Sequence, residues 1–552
     1  MVFRYVSETA IRTVQREIEH VTDEAGAEMK YRVQRTLRTE NVPEEIIAKI
    51  LSEMNHDIYK EINSELNSKF KVERFVMENF KFVIPECIKV DNQNIGYYIS
   101  IRSTLKNIFS DPTFMCHEEK NLAEGVYQYH RDTLVFQSSV FLQENPNAVS
   151  LNLYSDVVSL TNPLGYAKSK HNILHFYFTI ADMRSWERSK IANIFNVAFI
   201  DYKKGKHHLH IIHAKVYEEL RLLEQGVMLN GKLTKFGLLN YLGDNLESNY
   251  IAGLQTHFNS GFMCRVCTIQ HKQLEDVGKE YPLRTQKDYD TAMRLIEQHE
   301  GVHDNRGAIE AVVDVEQLLQ QCSDDEEDND AEESNDAMCT NEADSEDSSD
   351  DEQTEGATDT EILKGWKRPC IYNSLKSFSS LHCLPLDALH DVHEGLISYD
   401  VPGMLKYFVR QKWFSFEQLN KRMTSFPYSR DVDKPALFLN KTFKRLPGKG
   451  MASGLLVQIL PFLMLPYLPG DVLNDDIFKM LKIMHRILEL TMAESFDSLL
   501  IAELEEHVHK YFALRSTNSN EFCSIKPKHH NVLHMADSIA YHGPPTLTWT
   551  AR

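Results

Sequence analysis

Two aspartates stand where apolar, strand-like segments end, and they are well placed to bind a divalent metal. Alternating apolar residues from Val149 lead to Asp156, and the apolar run 236–242 leads to Asp244. Two carboxylates that converge at neighbouring strand ends repel each other unless a cation neutralises them, and Mg²⁺ (or Mn²⁺) prefers such oxygen ligands. Metal ions held there can activate water or a 3′-hydroxyl for phosphodiester transfer. Taken alone, each aspartate also fits a turn or a helix cap.

A second set of residues has the composition of a zinc site. Cys264 and Cys267 form the only C-x-x-C of the chain, and the segment 526–534 supplies His529, His530 and His534. On a helix His530 and His534 share a face, whereas His529 and His534 are five residues apart. Two cysteines and two histidines complete a tetrahedral zinc shell, although a C-x-x-C alone is also a redox pair. Zinc binding of about 10 kcal/mol can offset the several kcal/mol needed to close a loop of roughly 260 residues.

A third cluster lies in the segment 384–395. Asp387, His390, Asp391 and Glu394 fall at positions i, i+3, i+4 and i+7, so an α-helix would present them on one face. A solvated charged surface, a buried polar network and a metal contact all fit this pattern. A metallohydrolase site centred on His390, Asp391, His393 and Glu394 is a weaker alternative, because helical spacing separates His393 from the other three.

Lysines near the Asp156 segment are candidate contacts for a DNA backbone. Basic loops are usually only solvated, but lysines clustered beside an acid pair suit phosphate binding. The candidates are Lys168, Lys170, Lys203, Lys204 and Lys206.

The elements that would hold the two aspartates are strands and one helix. Strands are predicted at 149–156, 175–180 and 194–200, followed by a helix at 208–225 and a fourth strand at 236–242. Three strands, a helix and a further strand are typical of an α/β sheet domain. This order places the strands that end at Asp156 and Asp244 side by side.

The rest of the chain divides by pattern into further regions. The first seventy residues show two apolar stripes of helical spacing, and the second stripe begins after Asn41. The predicted regions are an N-terminal helical hairpin at 1–75, a mixed lead-in at 76–145, a sheet core at 146–267, a mainly helical insertion at 268–525 with a disordered acidic tract at 321–361, and a return to the core at 526–552.

The charge of the chain is concentrated in that acidic tract. The 552 residues contain 80 Asp and Glu against 60 Lys and Arg, a net charge of −20. Residues 324–361 hold 19 of the acids and no Lys or Arg, which leaves 61 acids against 60 bases elsewhere. The overall charge therefore does not exclude binding to nucleic acid.

Cysteine usage and hydropathy indicate a soluble intracellular protein. The nine cysteines are irregularly spaced, which favours a reducing compartment over a disulfide framework. Residues 1–18 lack the apolar core of a secretory signal. The most apolar stretch, 454–469, is short and interrupted by Pro461, so we expect a buried element and no membrane span.

Five segments, in chain order, resemble motif blocks of transposases of the CACTA (EnSpm-like) group, most closely a set of animal proteins derived from such elements. They lie within residues 95–552 and so cover most of the chain. The segments are Leu153-Tyr154-Ser155-Asp156 with Thr161-Asn162-Pro163-Leu164-Gly165, Gly243-Asp244-Asn245-Leu246-Glu247-Ser248, Phe262-Met263-Cys264-Arg265-Val266-Cys267, His390-Asp391-Val392-His393-Glu394-Gly395, and Lys526-Pro527-Lys528-His529-His530 with His534.

The resemblance implies an RNase H-like core with a DDE catalytic triad and a large helical insertion before the third acid. This layout, with paired cysteines and histidines on zinc, also resembles the catalytic core of the V(D)J recombinase. It implies that Asp156 and Asp244 hold Mg²⁺, and that Cys264, Cys267, His534 and either His529 or His530 hold zinc. The implied partner is DNA and the implied location is the nucleus, with a homodimer as one option for assembly.

The third acid of the triad is where this sequence departs from the family pattern. In the family that acid closely follows a Trp-Thr-x-Arg-like segment, and here residues 547–552 read Leu-Thr-Trp-Thr-Ala-Arg, where the sequence ends. We therefore expect impaired cleavage and strand transfer unless Glu394 substitutes. The alternative function is a catalytically inactive descendant that binds DNA or protein.

Overall fold

The computed structural model describes part of the chain in two compact units, residues 1–84 and 85–552. In the first unit, residues 28–39 are helical and helix α1 spans Glu44–Glu53, with Pro43 just before it and Ile47 fully buried. The rest of the predicted hairpin lies outside the described residues. The described residues are 28–39, 42–53, 83–111, 114, 125–159, 172–300, 362–430, 432–438, 443–448 and 450–548.

The second unit is a mixed α/β structure built on a six-stranded sheet, with a helical C-terminal region. Its described strands are β1 (Glu86–Val90), β2 (Gln93–Tyr98), β3 (Val149–Ser159), β4 (Asn172–Ile180), β5 (Phe195–Asp201), β6 (Val227–Leu229), β7 (Lys232–Thr234) and β8 (Phe236–Leu242). The sheet order is β1-β2-β5-β4-β3-β8, and β6 and β7 form a separate hairpin.

The helices surround this sheet and continue beyond it. Up to residue 300 they are α2 (Ile101–Phe109), α3 (Leu134–Ser138), α4 (Val140–Glu144), α5 (Ser185–Arg188), α6 (Tyr202–Gly205), α7 (Leu209–Gln225), α8 (Asn245–Ala252) and α9 (Gln286–Glu300). The C-terminal region comprises a π-helical segment (Leu389–Ile397) and α10 (Ser398–Arg410), α11 (Phe416–Ser425), α12 (Gly450–Met464), α13 (Asp476–Thr491), α14 (Ser498–Thr517), α15 (Pro527–Leu533), α16 (Met535–His542) and α17 (Pro545–Thr548).

The predicted strand order is confirmed, and it brings the two aspartate-bearing strands together. Strands β3, β4 and β5 are antiparallel neighbours, α7 crosses over, and β8 returns parallel to β3 with Leu242 opposite Tyr154. Each predicted strand and the predicted helix matches an observed one to within a few residues, except that β3 runs three residues beyond Asp156. The lead-in region also holds β1 and β2, which its sequence pattern did not reveal.

The polar face of β3 is buried, although its alternation is typical of a half-solvated strand. Asn152 accepts a hydrogen bond from Asn240 of β8 (3.2 Å) and lies 3.3 Å from the ring of His130. Asn240 in turn lies 3.2 Å from His542 of α16. Burial lowers the pKa of His130, and it lowers that of His542 to about 3, so both rings are neutral. This buried amide and imidazole ladder anchors the C-terminal segment to the sheet.

Two apolar cores follow from this arrangement. One lies between the sheet and helices such as α2 and α7, and the other fills the helical region. Cys264 and Cys267 belong to the helical core, next to Val532 of α15 and Met535 of α16. The C-x-x-C turn is therefore the point where the chain leaves the sheet and packs against helices near its end.

One described helical stretch, Gly450–Tyr467, is long and apolar enough to cross a membrane by length and composition alone. In this fold 56% of it is buried within the protein. A core helix passes the same test, so this stretch is weak support for a membrane span. The acidic tract 321–361 lies outside the described residues.

The π-helical segment packs closely on α15, and Gly395 permits the approach. A Cβ atom at position 395 would lie 2.8 Å from Cβ of Lys528 and 3.1 Å from the carbonyl oxygen of His390. We expect Gly395→Ala to push the two elements apart and to lower the free energy of unfolding by about 1–3 kcal/mol, measured by urea denaturation. Gly470→Ala is the matched control, because no atom lies within 4 Å of the added methyl group. Equal effects of the two substitutions would contradict this packing argument.

Candidate functional site

Among the described residues, one group brings three or more potential metal ligands together: Cys264, Cys267, His530 and His534. Their ligand atoms all lie within 4.8 Å of one another. Sγ of Cys267 is 3.2 Å from Nε2 of His530, which is 3.1 Å from Nε2 of His534. Zn–S bonds of about 2.3 Å and Zn–N bonds of about 2.0 Å set similar separations in a tetrahedral shell. The cluster can therefore hold a metal such as zinc.

Local structure prepares this cluster for a metal. The backbone N–H groups of Val266 and Cys267 point at Sγ of Cys264, at 3.3 and 3.5 Å. Burial opposes ionisation of Cys264, but the thiol of Cys267 and the imidazoles of His534 and His530 outweigh it and hold its pKa well below the usual value. A thiolate is the form of cysteine that binds zinc.

His529 does not belong to the cluster. Its Nε2 lies 3.1 Å from Oδ1 of Asp400, a fully buried carboxylate. Oδ2 of the same carboxylate accepts hydrogen bonds from Arg515 (2.8 Å) and Tyr511 (2.7 Å). Of the two histidines between which the sequence could not choose, His530 faces the cysteines, and His529 fixes α15 to the neighbouring helices α10 and α14.

Asp156 and Asp244 lie at the same level of the sheet, and both are exposed. Because Tyr154 pairs with Leu242 in parallel register, two further residues along each strand lead to the two aspartates. Desolvation by the surrounding protein atoms, and after it the negative charge of Asp244, raise the pKa of Asp156 although its side chain reaches solvent. The carboxylates therefore interact electrostatically, as expected from their predicted position on adjacent strands.

Asp244 also caps a helix, which was the structural alternative for this residue. Its Oδ1 accepts the backbone N–H of Glu247 (2.8 Å) in the first turn of α8. Glu247 itself is half-buried and accepts hydrogen bonds from Ser155 (2.7 Å) and Tyr241 (3.1 Å). The cap fixes the direction of the Asp244 side chain at the end of β8.

The third cluster splits, and the expectation of one shared helical face does not hold. Asp387 precedes the π-helical segment and caps it through the N–H of Leu389 (2.8 Å), while its other oxygen lies 2.7 Å from Nδ1 of His390. The charges of His390 and Asp387 both act on the pKa of Asp156, so this pair lies near the aspartates. Asp391 is fully buried.

Glu394 and His393 take separate places. Glu394 lies 3.7 Å from Lys528 and 3.9 Å from Arg445, and His393 is buried 3.3 Å from the carbonyl oxygen of Gly450. The wider turn of a π-helix changes the angle between successive side chains, so α-helical spacing does not describe this segment. The side chains of the metallohydrolase alternative therefore do not converge.

The Asp387–His390 pair gives a testable dependence of stability on pH. Burial opposes protonation of His390, but the hydrogen bond and charge of Asp387 outweigh it and raise the pKa to about 9. The pair then stabilises the fold fully below the unfolded-state pKa of 6.5, and this contribution is lost as the pH rises through 9. We expect the stability difference between the native protein and His390→Gln to shrink by about 1–2 kcal/mol between pH 6.5 and 9.5.

Urea denaturation across that pH range measures this difference. The control is His485→Gln, which removes a histidine 3.5 Å from Glu489 on the surface of α13. A pH-independent difference for His390→Gln would show that the pair is not an ion pair at neutral pH.

Three of the candidate lysines are located at the same end of the sheet as Asp156. Lys203 and Lys204 lie on α6, directly after β5, and Lys206 follows them. Strand β5 is separated from β3 by β4 alone, a distance of about 10 Å between β3 and β5. Lys204 also lies 3.6 Å from Asp201. Lys168 and Lys170 lie outside the described residues.

Sequence reasoning missed three buried residues that connect these groups: Arg265, Asn245 and Asn531. Each directly follows a predicted site residue, Cys264, Asp244 and His530 respectively. The available signal was a polar residue directly beside a candidate ligand, in a segment that must be buried. The partners of these residues are distant in the sequence, so only the fold identifies them.

Comparison with models of known protein families finds no match to this chain, and comparison with curated proteins finds none either. The functional inference therefore depends on the geometry of the two groups of side chains. By its ligand chemistry the Cys₂His₂ cluster could hold a metal, and the aspartate pair is the candidate reactive centre.

Proposed function

We propose that this protein is a DNA-binding protein of the DDE transposase type, with divalent-metal-dependent cleavage and transfer of DNA strands at Asp156 and Asp244. The observation that carries the proposal is the position of two exposed carboxylates at one level of adjacent parallel strands, where the charge of Asp244 contributes to the raised pKa of Asp156. Such a pair favours a divalent cation as its neutralising partner.

The proposal includes an RNase H-like core. Its support is the order of elements: three antiparallel strands, the crossover helix α7, and a fourth strand parallel to the first. This order sets Asp244 beside Asp156 without any contribution from the helical region. The helical region then follows the second aspartate as an insertion would.

The two metal types would have different roles. Asp156 and Asp244 would hold Mg²⁺ or Mn²⁺, which when bound supplies an activated water or 3′-hydroxyl and stabilises the leaving oxygen. The protein's own contribution is position: β3 and β8 fix the carboxylates and the Asp244 cap restricts one of them. Zinc on Cys264, Cys267, His530 and His534 would be structural, because four protein ligands leave no open position for a substrate.

Contacts to DNA would come from the lysines at the same end of the sheet. Lys203 and Lys204 are exposed, and Lys206 is half-buried beside them. Phosphate contacts of this kind fix the register of a duplex without reading its sequence. A protein with this activity would work in the nucleus.

Two measurements on the purified protein test this function. Duplex binding should weaken steeply between low and moderate salt, because each lysine–phosphate contact releases counterions. Supercoiled plasmid should be nicked with Mn²⁺ or Mg²⁺ present, and a chelator of divalent ions should abolish the nicking. Binding that does not respond to salt would rule out the DNA partner.

One observation favours a second function, namely binding to DNA without cleavage. His390 carries a positive charge near the two aspartates, so the acids are partly neutralised without a metal. Salt-dependent DNA binding with no nicking under any divalent ion would support this inactive descendant. A role in binding another protein would be indicated if DNA binding were absent as well.

A further inference from the structure

A buried chain of hydrogen bonds centres on Asp391. Nη1 of Arg265 donates to Oδ1 of Asn245 (2.7 Å), and Nδ2 of Asn245 donates to Oδ1 of Asp391 (2.6 Å). Nδ2 of Asn531 donates to the same oxygen (3.0 Å). None of these side chains is more than 8% exposed. Asp391 is therefore the acceptor on which two side-chain amides converge.

The members of this chain come from the elements that carry both candidate metal sites. Arg265 lies between the two cysteines of the C-x-x-C, and Asn531 directly follows the ligand His530. Asn245 directly follows Asp244 and begins α8. The Asp391 carboxylate thus connects the C-x-x-C turn, helix α15 and the residues that follow β8.

A second anchor strengthens the link from the cysteine turn. Nη2 of Arg265 donates to the carbonyl oxygen of Pro385 (2.9 Å), in the segment just before Asp387. The backbone of Cys383 in that segment accepts a hydrogen bond from Tyr241 of β8 (2.9 Å). The turn that holds the cysteines therefore contacts the edge of β8 by two routes.

The buried network around Asp400 provides a contrast. Asp400 binds Arg515, Tyr511 and His529, all of which belong to the helical region. Breaking the Asp400 network would loosen α15, but its hydrogen bonds do not lead to Asp244. Removing the Asp391 carboxylate would leave buried amides on both sides without an acceptor, which folded structures strongly disfavour.

We propose that Asp391 is a positioning residue that couples the Cys₂His₂ site to the Asp156–Asp244 pair, so that zinc holds the Asp244 end of β8 in place. The catalytic consequence rests on the proposed function of the aspartates. The mechanical coupling does not, because it concerns the position of the backbone at residues 244–248 and needs neither DNA nor Mg²⁺.

Hydrogen exchange of the full chain, with and without a zinc chelator, tests the coupling. In the native protein we expect zinc removal to speed exchange at least about fivefold in α15 and also in the first turn of α8. The amides of β4 should change by less than about twofold, which separates local loosening from global unfolding. An unchanged α8, or equal acceleration in β4, would overturn the proposal.

Variants of Asp391 and Asn531 provide a second test of the coupling. Asp391→Ala should make α8 exchange fast with zinc bound and insensitive to its removal, whereas Asp391→Asn, which keeps an acceptor oxygen for both amides, should behave like the native protein. Asn531→Ala removes only the link to the histidine helix and replaces Asp391→Ala if that variant does not fold. A native response of α8 in the alanine variant would also overturn the proposal.

A buried acid in the turn after β4 serves as the control. Asp182 accepts hydrogen bonds from Arg131 (2.9 Å) and from the backbone of Ser150 (2.8 Å). Asp182→Asn should leave the response of α8 to zinc removal unchanged. The native protein and the variants are also titrated with Mn²⁺. If Mn²⁺ binds none of them, the proposed function is contradicted, and the exchange data still decide whether the coupling exists.

Discussion

Replacing Cys267 with serine is expected to release the bound zinc and to lower the free energy of unfolding by at least about 3 kcal/mol. The reason is that a metal held by this cluster would join a turn near residue 264 to a helix near residue 530, two segments that come together only in the folded chain. A serine hydroxyl is a poor ligand beside a thiolate, so the tetrahedral shell loses one member. Metal content by elemental analysis and denaturation with and without added zinc measure the two effects.

The same substitution at another buried thiol separates metal loss from a change in packing. Cys383 is 5% exposed and lies outside the cluster, so Cys383→Ser should keep the zinc. A metal chelator should lower the stability of Cys383→Ser by the same amount as it lowers that of the native protein. Retention of stoichiometric zinc by Cys267→Ser would show that the cluster is not the metal site.

Replacing Asp156 with asparagine is expected to reduce metal-dependent DNA nicking by about 10³-fold or more, because a catalytic metal supplies several kcal/mol of transition-state stabilisation. The same change should raise the stability of the metal-free protein, since it removes one of two like charges on adjacent strands. If Asp156 is a metal ligand, the substitution should lower the nicking rate and raise the stability of the metal-free protein. Replacement of an aspartate with a purely structural role would not raise that stability.

Asp201→Asn is the matched control for this prediction. Asp201 is the last residue of β5 and caps the helix that follows, much as Asp244 follows β8 and caps α8, but its partner on the adjacent strand β4 is the uncharged Ile173. We expect it to leave nicking and metal response unchanged. Equal loss of nicking in both variants would indicate a general effect on DNA binding or folding and would contradict a specific role for Asp156.

Much of the sheet could be predicted from the sequence because strand and helix periods are local. The alternation before Asp156 and the continuous apolar run before Asp244 each occupy one element, and their order left few topologies. The pairing of Cys264 and Cys267 with histidines more than 260 residues away was predictable from ligand chemistry. The choice between His529 and His530 was not, because it depends on the rotation of α15.

The third cluster shows most clearly what a local pattern misses. Four polar residues at α-helical spacing predicted one common face, but the segment forms a π-helix, and Asp387 and His390 pair with each other, while Asp391 is fully buried and Glu394 lies near Lys528. The approach of α15 to Gly395 and the buried partners of Asp391 come from distant parts of the chain. No local periodicity contains that information.

By itself, then, the sequence determined the chain order of four of the sheet's strands and their crossover helix, the residue types of two possible metal sites and the confinement of the negative charge to one tract. These follow from local periodicity, ligand chemistry and composition. Tertiary structure alone decided that His530, and not His529, faces the cysteines, and that Asp391 accepts hydrogen bonds from the segments that carry both sites. Such contacts depend on the packing of segments far apart in the chain, where small rotations of a helix select one side chain over its neighbour.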